Sequence, residues 1–259
     1  MKWILETVAV AFAMFSAIPV PQPVWNEKNM RYALCAFPLI GVICGGAWYV
    51  WAMLVEYLSF PVLLQGAGFC LLPIVITGGI HLDGYADTWD ARSSYGDMEK
   101  KQRILNDPHC GAFAVIRLCM YFVFWFALCS SFQPTEKNLL CMGLGFVLSR
   151  ALSGLAVASF PLARDTGLAH TFASAADKRK VRGFLLILTG VLMLWLVKFG
   201  GVSGGTMIFA ALVVFGQYYV ISKKEFGGIS GDMAGWFLQR AELWMLAALV
   251  LCQLLEARG

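Results

Sequence analysis

Apolar stretches long enough to cross a membrane recur along the whole chain, and this pattern constrains the fold more than any other feature. A helix of about 20 apolar residues spans the hydrocarbon core of a bilayer. The chain is 59% hydrophobic and only 14% charged, which is more apolar than a soluble domain requires. We therefore predict an all-α fold, a polytopic integral membrane helical bundle that forms a single domain over residues 1–259.

The apolar pattern predicts about seven or eight apolar helices. Their predicted bounds are 3–18, 34–58, 61–80, 112–132, 138–160, 184–199, 204–221 and 236–255. The first segment is marginal in length and contains Glu6, so it either spans, is re-entrant or lies in the interface. It runs into Pro19, Pro21 and Pro23 rather than a small-residue cleavage site, so we expect it to be retained.

Basic residues predict the orientation of the bundle, because Lys and Arg accumulate in cytosolic segments. Threading the helices alternately places 14 basic residues on one side, and Arg117 and Arg150 inside helices. The other side receives Lys2, Lys137, Lys198 and Arg258. The segments 81–111, 161–183 and 222–235 are therefore predicted to be cytosolic, in a multi-pass protein of a bacterial-type cytoplasmic (inner) membrane. No basic face is interleaved with exposed aromatic residues, so we expect no nucleic-acid partner.

Three aspartates lie where the third apolar segment leaves the membrane. At 100° per residue, Asp83, Asp87 and Asp90 fall within about 60° of one another on one helix face. Such carboxylates repel one another unless a cation neutralises them, and oxygen ligands favour Mg²⁺ or Mn²⁺ bound together with substrate phosphates. The cluster predicts a Mg²⁺ site for a phosphate or pyrophosphate substrate. The alternative is a solvated acidic helix end, although unpaired charge beside an apolar span is costly.

A glycine-rich loop over residues 226–232 precedes the last helix on the same predicted side. The backbone amides of Gly228 and Gly231 could approach an anion. Asp232, at the end of the loop, is predicted either to complete the metal site or to cap the helix.

Other polar residues near these segments have two interpretations each. Asp107 is a metal ligand or a general base, or part of an ordinary turn before Pro108. Arg150 lies within an apolar helix and is an anion site or a structural partner. His81 either positions substrate or is a packed, hydrogen-bonded histidine, and Arg164 lies in the next cytosolic segment.

These residues resemble the cobalamin synthase family, the adenosylcobinamide-GDP ribazoletransferases, over nearly the whole chain. The matching positions are Phe15 to Pro21, Phe37 to Gly41, Thr77 to Gly79, His81 to Gly84, Ala86 to Thr88, Asp90, Asn106, Asp107, Gly111, Arg150, Ala163, Arg164, Gly167, Leu168, Gly227, Gly228, Gly231, Asp232 and Glu242. The sequence departs from the family pattern at Gln239, where an acid is expected, and at Ala91, where a glycine is usual. His109 and, within the matching stretch, Asn106 replace residues that are usually basic.

The resemblance implies a Mg²⁺-dependent enzyme of the last steps of cobalamin biosynthesis. Adenosylcobinamide-GDP would donate its adenosylcobinamide-phosphate group to α-ribazole or its 5′-phosphate, releasing GMP and forming adenosylcobalamin or its 5′-phosphate. It implies an active site on the cytosolic face and leaves open a homo-oligomer or association with other corrinoid-assembly enzymes.

Roles for the candidate residues follow as hypotheses. Metal ligands would be Asp83 and Asp87, assisted by Asp90 or Asp232. Among Asp90, Asp107 and Asp232, one would accept the ribazole hydroxyl proton. Substrate contacts would come from His81, Arg150, Arg164, Gly228 and Gly231.

Two other functions remain as alternatives. A CDP-alcohol-type phosphotransferase of lipid synthesis would also place aspartates at a helix mouth, but residues 87–92 match only part of that signature. A membrane transporter would use the acids in a translocation path, but they lie at one mouth rather than at the midplane, and no inverted repeat is visible.

Overall fold

Thirteen helices and no strand form over residues 2–257, which are the residues that the computed structural model describes. The helices are α1 (Lys2–Phe15), α2 (Glu27–Met30), α3 (Ala33–Ala36), α4 (Pro38–Leu58), α5 (Val62–Thr77), α6 (Ile80–Ser93), α7 (Met98–Ile104), α8 (Ala112–Ser131), α9 (Glu136–Ser159), α10 (Leu168–Ala175), α11 (Lys178–Gly200), α12 (Val202–Phe226) and α13 (Gly231–Glu256). The predicted all-α membrane bundle is confirmed. Arg258 and the side chain of Lys2, both counted above on the less basic side, lie outside the described residues.

Six stretches of helix are long and apolar enough to cross a membrane. They are Ala33–Leu58, Ala112–Ser131, Glu136–Ser159, Lys178–Gly200, Val202–Phe226 and Gly231–Glu256. A seventh is reached if α5 and α6, which meet at a bend of 93°, count as one broken span. All eight predicted apolar helices are present, as α1, α4, α5, α8, α9, α11, α12 and α13, but α1 and α5, with 14 and 16 residues, are too short to cross a membrane alone.

The first helix lies at one end of the bundle. Its 14 residues cover about 21 Å, less than the hydrocarbon thickness of roughly 30 Å. The ring of Trp3 lies 6.1 Å from that of Tyr32, and the ring of Phe15 lies 4.4 Å from that of Phe37. Both partners precede α4, so the two ends of α1 contact the same end of the bundle. This arrangement agrees with the interfacial alternative.

Several spans begin or end beyond the predicted apolar segments. Helix α11 begins at Lys178 rather than 184, and α13 begins at Gly231 rather than 236. Their polar first turns are capped by side chains, because Asp177 accepts from the Lys180 amide and Ser230 from the Met233 amide. Hydropathy detects the part of a helix that lies in lipid, so these polar turns escaped the prediction.

Helices α9 and α13 form the centre of the bundle. Their apolar windows are 83% and 67% buried, whereas those of α8, α11 and α12 are each 28% buried. Glycines bring α4 close to α9, since a Cβ on Gly41 would lie 2.5 Å from the Phe146 carbonyl oxygen. Small residues of this kind allow close helix packing in membranes. On the outer helices, apolar side chains such as Val123 and Leu194 are exposed, as expected of surfaces that face lipid.

Candidate active site

The chain turns sharply between α5 and α6, and this turn positions the aspartates. Helix α5 ends at Thr77, whereas the prediction extended it to residue 80. Gly78 and Gly79 follow with φ of 65° and 77°, a left-handed conformation that glycine adopts without steric cost. The 93° bend sends the more polar helix α6 away from the axis of α5.

Helix α6 packs against α13 almost backbone to backbone. A Cβ on Gly84 would lie 2.6 Å from the carbonyl oxygen of Asp232, and a Cβ on Gly235 would lie 2.8 Å from that of His81. Only glycine fits at contacts this close. The two glycines thus place His81 and Asp83 of α6 beside Asp232 of α13.

Three cavities lie around these residues, and the first shares lining residues with each of the other two. The first, here called the apolar cavity, has a volume of about 280 Å³ and is lined by His81, Asp83, Asp232 and mainly apolar side chains. The second, the open cavity, has a volume of about 740 Å³ and is lined by Gly78, Gly79, Ile80, Leu82, Asp83, Ala86, Asp87, Asp107, Pro108, Cys110, Leu118 and Phe122. The third, the loop cavity, has a volume of about 300 Å³ and is lined by Leu105, Asn106, Arg164, Thr166, Gly167, Leu168, Ala169, His170, Ile229, Ser230, Gly231 and Asp232.

Two carboxylates connect the cavities. Asp83 lines the apolar and open cavities, and Asp232 lines the apolar and loop cavities. Asp87 lines the open cavity and lies close enough to Asp83, Asp90 and Asp232 to experience their negative charge. Within residues 2–257, however, no three Asp, Glu, His or Cys side chains converge tightly enough to enclose a metal ion by themselves. The acids form a spread cluster at the junction of the cavities.

Asp90 and Asp107 lie at the edge of this cluster. A Cβ on Gly111 would lie 2.3 Å from the Asp90 carboxylate, so Asp90 packs on the residue that precedes α8, and it lines none of the three cavities. Asp107 is exposed in the wall of the open cavity. The His109 amide donates to its carboxylate over 3.0 Å, and the His109 ring lies 2.6 Å away. These hydrogen bonds hold the pKa of Asp107 below its ordinary value.

The glycine-rich loop differs from its prediction in two respects. Ser230 caps α13, with Asp232 in the first turn, so the capping alternative for Asp232 is wrong. Helix α13 begins two residues earlier than a cap at 232 would require, and the Ser230 hydroxyl also donates to the Asp232 carboxylate over 3.3 Å. A Cβ on Gly228 would lie 2.4 Å from the Leu162 carbonyl carbon, so this glycine serves close packing of the loop. Gly231 does line a cavity wall, in both the apolar and loop cavities.

The two arginines of interest have different environments. Arg164 lines the loop cavity, and its guanidinium donates to the side chain of Asn106 and the carbonyl of Gln102. Arg150 is buried and donates to Glu242 of α13 over 2.6 Å. It lines none of the three cavities. The structure therefore places Arg150 as a structural partner of an acid, one of its two predicted roles.

His81 is buried in the wall of the apolar cavity. Its side chain is 6% exposed, and its Nε2 has no hydrogen-bond partner within the described residues. The ring packs 5.9 Å from that of Phe37. His81 is therefore packed, as one interpretation expected, but it lacks the hydrogen bond at Nε2 that this interpretation included. Gln239, which replaces an acid expected from the family pattern, accepts a hydrogen bond from the Tyr121 hydroxyl.

Phe15 and Phe37 belong to the family resemblance, but no sequence pattern indicated that they form aromatic walls of the apolar cavity with Phe172. Phe15, Phe37 and Phe172 come from α1, the start of α4 and α10. They are too far apart along the chain for any spacing rule to connect them. Ser153 of α9 also lines this cavity. Only the position of Phe37, between the short helix α3 and the proline that begins α4, marks a local departure from a simple apolar span.

Comparisons with known proteins agree with the resemblance found in the sequence. Residues 7–250 match the family model described as cobalamin-5-phosphate synthase. A protein of Lachnoclostridium phytofermentans named adenosylcobinamide-GDP ribazoletransferase is 42% identical over 98% of this chain and 96% of its own length. Proteins of the same name from Clostridium botulinum and a Geobacillus species are 33% and 30% identical, over 94% and 89% of this chain and 96% and 89% of their own lengths.

The comparison with solved structures gave no match. The family match covers α1 to α13 except for their outermost residues, and so includes every candidate site residue. It agrees with neither the transporter nor the lipid-synthesis alternative. This chain therefore belongs to the cobalamin-5-phosphate synthase family of enzymes.

Proposed function

We propose that the chain transfers the adenosylcobinamide-phosphate group of adenosylcobinamide-GDP to α-ribazole or its 5′-phosphate. The observation that carries the proposal is the position of Asp83 and Asp232, each in the wall of two adjoining cavities. A transferase with two large substrates needs separate binding volumes that meet at the reacting atoms. The names of the relatives supply the substrate classes.

The acidic cluster suits Mg²⁺ held jointly with a diphosphate. Its donors are carboxylate oxygens, which hard cations prefer. Fewer than three of the candidate acids converge on one point, and Mg²⁺ commonly takes only one or two protein carboxylates and completes its shell with water and phosphate oxygens. Asp83 and Asp87 would hold the ion, with Asp232 or Asp90 in support. Bound there, Mg²⁺ would neutralise negative charge on the diphosphate and on the departing GMP.

The transfer exchanges one phosphorus–oxygen bond for another. A ribazole hydroxyl oxygen bonds to the phosphorus that carries the cobinamide, and the bond from that phosphorus to the bridging oxygen of GMP breaks. GMP leaves with that oxygen and its electron pair, and the hydroxyl proton passes to a carboxylate. Asp232 is well placed to accept it, because it lines two cavities and is held by Ser230.

Arg164 is suited to the nucleotide side of the reaction. It is the arginine in the loop cavity wall, and its guanidinium is oriented by Asn106 and Gln102. A guanidinium fixed in this way provides donors in a planar fork that matches phosphate oxygens. The departing GMP phosphate would therefore lie in the loop cavity.

The acidic end of the bundle, defined by Asp83, Asp87 and Asp232, would face the cytosol of a bacterial inner membrane. Most basic residues adjoin the loops at this end, whereas Lys137 and Lys198 lie near the other. This asymmetry follows the positive-inside rule. The substrates named by the family are large and polar, which also requires access from the aqueous side.

Purified protein in detergent provides the direct test. It is incubated with adenosylcobinamide-GDP, Mg²⁺ and α-ribazole, and GMP and the corrinoid product are measured. GMP release that requires the ribazole supports the proposal. GMP release without an acceptor would indicate a hydrolase, and turnover of a CDP-alcohol in its place would indicate lipid synthesis.

A further inference from the structure

We propose that the apolar cavity binds the aromatic base of the ribazole acceptor, with His81 as the residue that recognises its free ring nitrogen. The inference rests on the proposed function and deepens it, because it assigns one substrate to one of the three cavities. It also gives a role to the buried histidine that the transfer step does not use.

The walls of the cavity are suited to a flat aromatic group. The ring of Phe15 lies 4.4 Å from that of Phe37 and 5.3 Å from that of Phe172, and Phe37 lies 5.9 Å from His81. All four rings line the cavity. Aromatic rings at these separations pack by offset or edge contacts, and an aromatic guest extends the same packing.

His81 provides a polar atom in these surroundings. Among the residues that the structure describes, its Nε2 is buried without a hydrogen-bond partner, and a buried donor or acceptor left unpaired costs free energy. Ribazole is a benzimidazole ribosylated on one nitrogen, so its other ring nitrogen is an acceptor. A neutral histidine with its proton on Nε2 would donate to that nitrogen. The hydrogen bond would satisfy both buried groups.

The other substrate groups fit this cavity poorly. The corrin is far larger than a cavity of about 280 Å³. Guanine would fit by size, but its edge carries several donors and acceptors, and the mainly apolar wall, whose polar side chains are His81, Asp83, Ser153 and Asp232, would leave part of that edge unpaired, which is costly. A base with one free nitrogen matches a wall with one unpaired histidine nitrogen.

The acids define the orientation of the acceptor. Asp83 and Asp232 line the same cavity as the aromatic rings. With the base among the phenylalanines, the attached ribose would lie toward these carboxylates, which border the open and loop cavities. The reacting hydroxyl would then face the diphosphate at the junction of the cavities.

A pair of acceptors tests the role of His81. α-Ribazole is compared with the matching indole riboside, in which carbon replaces the free ring nitrogen, and kcat/KM is measured for wild type and His81→Phe. Wild type should prefer α-ribazole by about tenfold or more, the typical effect of one buried hydrogen bond of about 1.5 kcal/mol. His81→Phe should lose this preference while its KM for adenosylcobinamide-GDP stays within about twofold. Equal preference in wild type and variant would overturn the assignment.

A second variant tests the cavity independently of the histidine. Ala234 lines only the apolar cavity among the three, so Ala234→Leu should raise the KM for α-ribazole about tenfold and leave that for the donor nearly unchanged. Ala127→Leu, on the exposed face of α8, is the matched control and should change neither.

A raised KM for the donor alone would assign the cavity to the other substrate. If wild type releases no GMP with either acceptor, the proposed function itself fails. If His81→Phe and Ala234→Leu turn over normally, with the wild-type acceptor preference and the wild-type KM for α-ribazole, only this inference is overturned.

Discussion

Gly84 of α6 lies so close to Asp232 of α13 that a Cβ would come within 2.6 Å of the Asp232 carbonyl oxygen. This contact sets the distance between the two helices that carry the acidic cluster. It also links a residue without a side chain to the position of a carboxylate in another helix.

Replacing Gly84 with alanine should separate α6 from α13. The added methyl group meets backbone, which cannot rotate away, so overpacking should cost about 1–3 kcal/mol and displace Asp83 relative to Asp232. We expect at least a tenfold loss of kcat and a lower unfolding temperature in detergent. Gly46→Ala is the control, because nothing lies within 4 Å of a Cβ there. Full activity of Gly84→Ala would show that the helix spacing is unimportant.

Gly79 should tolerate substitutions according to their backbone preference. Its φ is 77° and a Cβ there would meet nothing within 4 Å, so only backbone strain opposes a side chain. A left-handed conformation costs most L-residues roughly 1–2 kcal/mol, whereas asparagine adopts it more readily. Gly79→Asn should therefore keep most activity and Gly79→Val should lose more, as measured by GMP release and thermal unfolding. The reverse order would contradict this account of the bend.

The buried pair of Arg150 and Glu242 should matter for stability rather than for chemistry. Glu242→Ala would leave the Arg150 guanidinium buried without the carboxylate to which it donates. Removing one partner of a buried ion pair typically costs about 3–5 kcal/mol. The double variant Arg150→Met with Glu242→Leu should recover much of the folded yield, because no uncompensated charge remains. The measurement is the size-exclusion profile and unfolding temperature of wild type, Glu242→Ala and the double variant. A double variant that folds well but releases no GMP would instead place the pair in the reaction.

Asp107 should be the least important of the acids around the open cavity. Hydrogen bonds from His109 hold its pKa below the ordinary value, so its carboxylate stays ionised at neutral pH and is a weak proton acceptor. Its charged form is lost only as the pH falls through that lowered pKa. Asp107→Asn should therefore reduce kcat by far less than the ~10²-fold or more expected when a general base is removed. A loss as large as that of Asp232→Asn would make Asp107 the base.

Hydropathy and charge predicted the class of fold, because membrane spans carry a strong local signal. They placed α8 within one residue at each end, but they extended α5 to residue 80, past the bend at Gly78. They also missed the short helices α2, α7 and α10, and joined α3 to α4 as one segment, because helices of four to eight residues are too short for hydropathy to detect. A bend caused by two left-handed glycines does not alter the hydropathy of its neighbours.

The site was predictable where its residues are close in sequence or, as for Asp232, follow a segment on the same predicted side of the membrane. Asp83, Asp87 and Asp90 share one helix, so the helical repeat was enough to group them. Their proximity to Asp232 depends on the contact between α6 and α13, which no spacing along the chain encodes. The pairing of Arg150 with Glu242 and the aromatic walls of the apolar cavity likewise arise from the packing of distant helices.

Binding of Mn²⁺ as a spectroscopic substitute for Mg²⁺ tests the central proposal most directly. Free Mn²⁺ is measured by electron paramagnetic resonance with purified wild type, Asp83→Asn and Asp87→Asn, each with and without adenosylcobinamide-GDP. Size-exclusion profiles first establish that the variants remain folded. We predict that the donor substrate strengthens Mn²⁺ binding to wild type and that either substitution weakens it at least tenfold, together with GMP release. Undiminished binding in both variants, or turnover that survives removal of all divalent cations, would contradict the account.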